Sequence, residues 1–323
     1  MFNEIDALKA LRKKFVSESE DILLGIGDDC AAIRTGRNKL LLISTDSMVE
    51  DVHFSISYFK PREIAKKSVA VSISDIASMG GNPRFILSTI GIPKCADQDL
   101  MDELLDGIRS SCDFYGVELI GGNITTSDKL FLDITAIGQI DEDKVIRRSG
   151  SKPGDLIYVT GSIGDSALGL KLLNSGLEDP FVIDRHKNPE ARAKIGEKLS
   201  ATGLPTSMID ISDGLLIDLE RITTEQNLGA KVYIESLPLS DSYLKLVSDF
   251  EEDIYRLALT GGEDYELLFT VPSGLRDELK TVEDSMGLRI TEIGVVTEEK
   301  TIDLIDGEGN ILDYANRGFV HLR

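Results

Sequence analysis

DEDKVIRRSGSKPGD, residues 141–155, is charged, carries glycine and proline, and separates two halves that each have their own apolar patterning. A chain of 323 residues exceeds the length that one hydrophobic core usually serves. The boundary is therefore drawn here, giving domains 1–145 and 146–323. On the N-terminal side, LFLDITAIGQI (130–140) and FILSTIGIP (85–93) read as strands, with a helix over 97–115 and the segment VELIGGNITTS between them. KLLLIST (39–45) is a short apolar run that suits a buried strand delivering Asp46 to its exit. Residues 61–79 read as a helix, because Pro61 suits a first turn and Gly80, Gly81 and Pro83 stop it. On the C-terminal side come LIYVTG (156–161), a helix through SALGLKLLNSG, another around 189–201, and the strand-turn-helix MIDISDGLLIDLERIT. The strand-like AKVYIE, YELLFTV and ITEIGVV and a C-terminal tail complete the chain. Strands and helices intermix without regular βαβ alternation, which predicts an α+β chain of two mixed-sheet α/β domains.

Composition narrows the function. The 41% of hydrophobic residues is ample for two cores. A net charge of -21 argues against a nucleic-acid or anionic-membrane partner, since both attract clustered Lys and Arg. Small anions neutralised by metal remain admissible ligands. Cys30, Cys95 and Cys112 fit neither a disulfide framework nor a zinc site and read as reduced thiols of a cytoplasmic protein. MFNEIDALKALRKKF lacks the order of a signal peptide and looks like a short amphipathic helix; no apolar run approaches membrane-spanning length.

The chemistry lies in acidic residues set among glycines and serines: GIGDDC (25–30), STD (44–46), SISDIASMGG (72–81), IDISDGL (209–215) and TGGEDYELLF (260–269). Magnesium takes hard oxygen ligands and commonly combines a few carboxylates with water and substrate phosphates, so dispersed aspartates imply a folded phosphate-metal site. Each motif also has a plainer reading. Asp28 and Asp29 are residues that turns favour, STD serves equally as a cap, and Ser212 with Asp213 suits a helix N-cap. Asp75 is the stronger case. It shares a helical face with Ile64, Ser68, Val71 and Met79, so an ionised carboxylate there needs a counter-charge, either a metal or a buried salt bridge. Asp210 alternates with Ile209 and Ile211 on a strand, and the following turn offers a phosphate backbone amides and a positive helix end. Gly121, Gly122 and Asn123 read as a glycine-rich turn near a nucleotide. Arg147 and Arg148 are suited to phosphate or to solvent, and His53 to the acidic site or to a hydrogen-bonded core. GSIGD (161–165) lacks dinucleotide spacing and reads as a tight turn. No P-loop, protein-kinase element or nucleophile elbow is present.

The ordered set GIGDDC, STDSMVEDVHF, SDIASMGG, GGN, RSGSKPGD, VTGSIGDSALGL, IDISDGL and GGEDYELLF covers nearly the whole chain and closely resembles the thiamine-monophosphate kinase family. That family is a branch of the aminoimidazole-ribonucleotide-synthetase-like ATP-binding superfamily. The resemblance implies direct transfer of the γ-phosphoryl group of ATP to thiamine phosphate. It implies that Asp29, Ser44, Thr45, Asp46, Asp75, Asn123, Asp210 and Asp213 surround several Mg²⁺ ions, that Gly122, Arg148 and Ser212 touch ATP, and that His53, Glu263 and Phe319 meet thiamine phosphate. It also implies a homodimer whose N-terminal sheets pack together. Two positions depart from the family pattern: Asn123 where many relatives have Asp, and Phe319 where Tyr or Trp is more usual. The rival readings are another enzyme of the superfamily, acting on an amide or carbonyl oxygen, and a non-catalytic subunit that senses ATP and Mg²⁺.

Overall fold

The computed structural model describes residues 4–15, 19–224, 226–312, 314 and 318–319. The first half contains α1 (Glu4–Lys14), β1 (Ile22–Leu24), β2 (Ala31–Gly36), β3 (Lys39–Val49), α2 (Pro61–Ser78), β4 (Asn82–Pro93), α3 (Gln98–Tyr115), β5 (Glu118–Ser127) and β6 (Phe131–Asp141). Its six strands form one sheet in the order β1-β2-β3-β6-β4-β5. The pairs are antiparallel except β4 with β5, which α3 joins as a parallel crossover.

The second half contains β7 (Asp155–Thr160), α4 (Asp165–Ser175), α5 (Pro180–Lys187), α6 (Ala193–Thr202), β8 (Ser207–Asp210), α7 (Leu215–Thr224), β9 (Gly229–Tyr233), α8 (Asp241–Leu246), α9 (Arg256–Thr260), β10 (Leu267–Pro272), α10 (Arg276–Met286), β11 (Ile290–Thr297), β12 (Ile302–Ile305) and β13 (Ile311–Leu312). A seven-stranded sheet runs β13-β12-β9-β11-β7-β10-β8, again mixed through the parallel pair β12 and β9. The central strand β7 is buried at every position because apolar clusters lie on both its faces. Ile157, Val159, Ile209 and Leu268 join one core, while Leu156, Tyr158, Met208 and Phe269 join the other. The α+β reading with two mixed sheets is what the protein has.

Helix α2 positions the site. Pro61 begins it, and Glu63 accepts a hydrogen bond from the Lys60 amide at 2.8 Å. It ends at Gly80, whose φ of 75° and approach to Ser200 leave no room for a side chain. The helix is buried nearly all round, between the first sheet and helices α3 and α6, and it also touches β8. Its serines therefore spend their hydroxyls inside: Ser68 on the Ile64 carbonyl, Ser72 on that of Ile134, and Ser74 and Ser78 on carboxylates described below.

Three local readings change. Asp46 does not end its strand: β3 continues to Val49, and Asp46 sits mid-ladder opposite Ile134. Residues 121–123 are not a turn but the middle of edge strand β5, where Gly122 takes φ 153° because a Cβ would lie 1.9 Å from the Ser88 carbonyl oxygen. The tail includes strands β12 and β13, and α5 precedes the expected helix α6. Val320 to Arg323 lie outside the described residues. No described helix is long and apolar enough to cross a membrane.

Candidate active site

The ends of three elements meet where the two sheets' helices adjoin. Asp75 comes from the last turns of α2, Asp210 from the end of β8, and Asp29 from the turn before β2. One carboxylate oxygen from each lies within 4.8 Å of the others. Strand β3 brings Ser44 and Asp46 to the same side, since even-numbered residues of that strand face inward. Serine hydroxyls orient the acids: Ser44 donates to Asp75, Ser74 to Asp210 at 2.6 Å, and Ser78 to Asp29 at 2.7 Å. Among the charged partners described, only Arg148 compensates the group, with Nε 2.9 Å from Asp29 Oδ1. Asp75 has no salt bridge among the described residues.

The electrostatics follow from this shortage of cations. Two unit charges 4 Å apart repel by about 4 kcal/mol at an effective dielectric of about 20. Burial first, and then Asp46, Asp210 and Asp29, push the Asp75 carboxyl well above the usual range. Burial and Asp29 do the same to Asp210, burial raises Asp46, and burial with Asp29 raises Asp28 to about 6. Asp46 Oδ2 is buried without a hydrogen-bond partner. A set of convergent hard oxygens, short of positive charge and with one lone pair unspent, fits a divalent cation such as Mg²⁺.

The turn after Asp210 departs from the expected phosphate cradle. The Asp218 carboxylate, on the first turns of α7, accepts from the amides of Ser212, Asp213 and Gly214 at 3.1, 3.1 and 3.2 Å. Those amides are thus spent on an internal acid rather than left for a phosphate. Burial raises the Asp218 carboxyl to about 7, with Arg221 opposing the shift. Arg221 also bonds Asp213 at 2.5 Å. The same device closes the GSIGD loop, where Asp264 accepts from the Gly164 and Ser166 amides at 2.8 and 3.3 Å, so the tight-turn reading of that loop holds. Burial lifts Asp264 to about 8.

Glu263 adjoins the turn after Asp210. It occupies the left-handed region, φ 66°, and its amide donates to the Ser212 carbonyl at 2.7 Å. Lys67 of α2 lies 2.8 Å from Glu263 Oε1, His186 of α5 lies 3.4 Å from Oε2, and His53 and Tyr58 are close enough to interact electrostatically. Burial works to raise the Glu263 carboxyl, but Lys67 holds it below its ordinary value. His53 also accepts from the Val49 amide through Nδ1 at 3.0 Å. Phe319 is 47% exposed and donates its amide to the Asp213 carbonyl at 2.9 Å.

Not every candidate converges within one chain. The Thr45 side chain is exposed on the outward face of β3, bonded by Thr135. Gly122 lies three strands from Asp46, through Ile134 and Ser88, or roughly 14 Å at ordinary strand spacing, and Asn123 is its neighbour. Sequence reasoning passed over Lys67, Ser74, Ser78, Asp218 and Arg221. The serines were legible as a run flanking Asp75, and Asp218 as an acid one helical turn past Gly214. Nothing in the local pattern marks Lys67.

The AIR synthase related protein N-terminal domain model matches residues 27–140, and its C-terminal domain counterpart matches 152–307. The chain is 35% identical to thiamine-monophosphate kinase of Bacillus subtilis over 99% of this chain and 100% of that protein. It is 37% identical to that of Escherichia coli K12 over 93% and 92% of the two chains. The solved structure of AaThiL complexed with AMPPCP and TMP superposes with a TM-score of 0.86 at 30% identity, covering 99% of this chain and 97% of the other. The chain belongs to the AIR synthase related family and, within it, to the thiamine-monophosphate kinases.

Proposed function

We infer that the protein transfers the γ-phosphoryl group of ATP directly to thiamine phosphate, forming thiamine diphosphate and ADP. The observation that carries this reading is the under-compensated cluster of Asp29, Asp46, Asp75 and Asp210 beside the Glu263 loop. Phosphoryl transfer needs alignment and charge neutralisation more than a covalent nucleophile, and the site offers both. The structure of a relative bound to AMPPCP and TMP supports the same pair of ligands here.

In this reading Asp29, Ser44, Asp46, Asp75 and Asp210, with Asp213 beside them, hold Mg²⁺ ions. When bound, the metal supplies charge neutralisation and orientation of the phosphates. Thr45 would act through its main chain, since its side chain faces away. Arg148 would serve ATP phosphate, and Ser212 its nucleotide through the hydroxyl, the amide being engaged by Asp218. Glu263, His53 and Phe319 would face thiamine phosphate, with the carboxylate suited to its cationic thiazolium.

The protein is proposed to be a cytoplasmic homodimer with domains 1–145 and 146–323. Dimerisation is supported by the outward face of the first sheet. Leu41, Ile43, Leu87 and Ile137 there are only partly buried, and Leu119, Ile120 and Ile124 on edge strand β5 are exposed. The distance of Gly122 and Asn123 from Asp46 fits their serving the site of the second copy. The domain boundary is supported by the two sheets, which end and begin at Asp141 and Asp155. The test is incubation of purified protein with Mg²⁺, ATP and thiamine phosphate, followed by phosphorus NMR. Thiamine diphosphate and ADP are expected in equal amounts; nucleotide binding without that product would leave the sensing reading in its place.

A further inference from the structure

We propose that Lys67 is a positioning residue for the substrate end of the cleft, fixing the Glu263 carboxylate in the direction from which it meets thiamine phosphate. The proposal rests on the reading of Glu263 as a substrate contact. Lys67 is a fully buried lysine, 0% exposed, on the helix that also carries Asp75. An ammonium in the interior loses its hydration, which only good partners return. A lysine serving the scaffold alone would be expected to use all three donors. Lys67 instead has Glu263 Oε1 at 2.8 Å and the Phe59 ring at 5.5 Å, and Nζ has no well-directed hydrogen-bond acceptor.

The carboxylate it holds is itself costly to place. Glu263 adopts a left-handed conformation, which is strained in a non-glycine residue. Its Oε1 faces Lys67 Nζ, while Oε2 lies 3.4 Å from His186 Nδ1, which hydrogen-bonds Ser166 Oγ at 3.1 Å, and the side chain stays 26% exposed. His186 Nε2 is buried with no partner, so this pocket, like the acidic cluster, has hydrogen-bonding capacity left over. Held by Lys67 from α2, the carboxylate remains partly exposed. Because Lys67 and Asp75 are eight positions apart on one helix, about 12 Å along its axis, α2 sets the spacing between the metal-binding carboxylates and the anchor of Glu263.

Steady-state kinetics of Lys67→Met, Lys67→Arg, Glu263→Gln and Lys67→Met/Glu263→Gln test this. Lys67→Met is expected to raise KM for thiamine phosphate at least tenfold while KM for ATP stays within about twofold, and Lys67→Arg to recover most of the loss. In the Glu263→Gln background, Lys67→Met is expected to add nothing, because the two residues act as a unit. Equal rises in both KM values, or a further several-fold loss in the double variant over Glu263→Gln, would overturn the proposal. If Lys67→Met does not fold, the double variant, which leaves no buried charge unpaired, decides it against Glu263→Gln alone. A wild-type KM in Glu263→Gln would instead remove Glu263 from the substrate site and leave the kinase reading intact.

Discussion

Two buried acidic regions of this protein are built in opposite ways. Glu266 is 0% exposed, yet it receives Arg185 at 2.6 Å, Arg192 at 2.6 and 2.8 Å, and the Thr160 hydroxyl at 2.6 Å. Its charge is met from within the fold. Asp29, Asp46, Asp75 and Asp210 gather with Arg148 as their one described cationic partner, and one of their oxygens has no partner at all. The contrast separates scaffold from site: a buried acid compensated by the protein stabilises the fold, whereas one left short of positive charge awaits something from outside.

The strongest way to break this distinction is at the cluster. Asp75→Asn and Asp46→Asn are expected to lower turnover at least about 100-fold, since each weakens a site that contributes several kcal/mol of charge stabilisation. In metal-free buffer neither should melt below wild type, because each removes repulsion. Near-normal turnover in both would dissolve the site.

Next in size is the opposite behaviour at Glu266. Glu266→Ala takes from two largely buried arginines their main partner, leaving Arg192 only Glu190 and Arg185 only the Asp264 carbonyl, and is expected to cost about 3–5 kcal/mol in denaturant unfolding. Its KM values below the melting range should stay within a few-fold of wild type. A stable variant would show that the arginines find solvent and that their pairing with Glu266 is not what holds this region.

The pH dependence sharpens the comparison further. Asp28, Asp218 and Asp264 have folded values of about 6, 7 and 8, all above those of an unfolded aspartate. The folded state then binds more protons, so their contribution is complete below the ordinary carboxylate range and is lost as pH rises through those values. Without divalent metal, the melting temperature is expected to fall between about pH 5 and pH 8. Mg²⁺ should reverse the part of that fall owed to the cluster and not the part owed to Asp264. A flat profile without metal would contradict the raised carboxyls of Asp28, Asp218 and Asp264.

The smallest effect is expected at the loop between them. Asp218→Ala strands three amides of the 212–214 turn and should cost about 1–3 kcal/mol, with a few-fold rise in KM for ATP. An unchanged KM with lowered stability would make Asp218 a purely structural cap.

How far the site could be read in advance depended on the range of the interaction. Asp75 was legible because a carboxylate on an otherwise apolar helical face conflicts with local burial, a contradiction visible within a few turns. Asp210 was legible from the strand-turn-helix around it. The role of Asp218 was hidden by its own success: the amides of residues 212–214 look available to phosphate until a side chain from the next helix turn is seen to occupy them. The glycines at 121 and 122 suggested a turn, but strand β4 lies so close that glycine is needed for an extended edge strand instead.

What the amino-acid order determined by itself was local and periodic: the mixed α+β character, helix α2 with its proline start and glycine stop, and the acidic motifs whose order marks the family. Only the tertiary structure decided which charges are compensated. Lys67 and Glu263 are separated by most of the chain yet lie 2.8 Å apart, while Asp29 and Asp75 face each other with no lysine between. Periodicity reports which face of an element is buried, but electrostatic energy depends on the distance between charges in space, and that distance is fixed only when the elements pack.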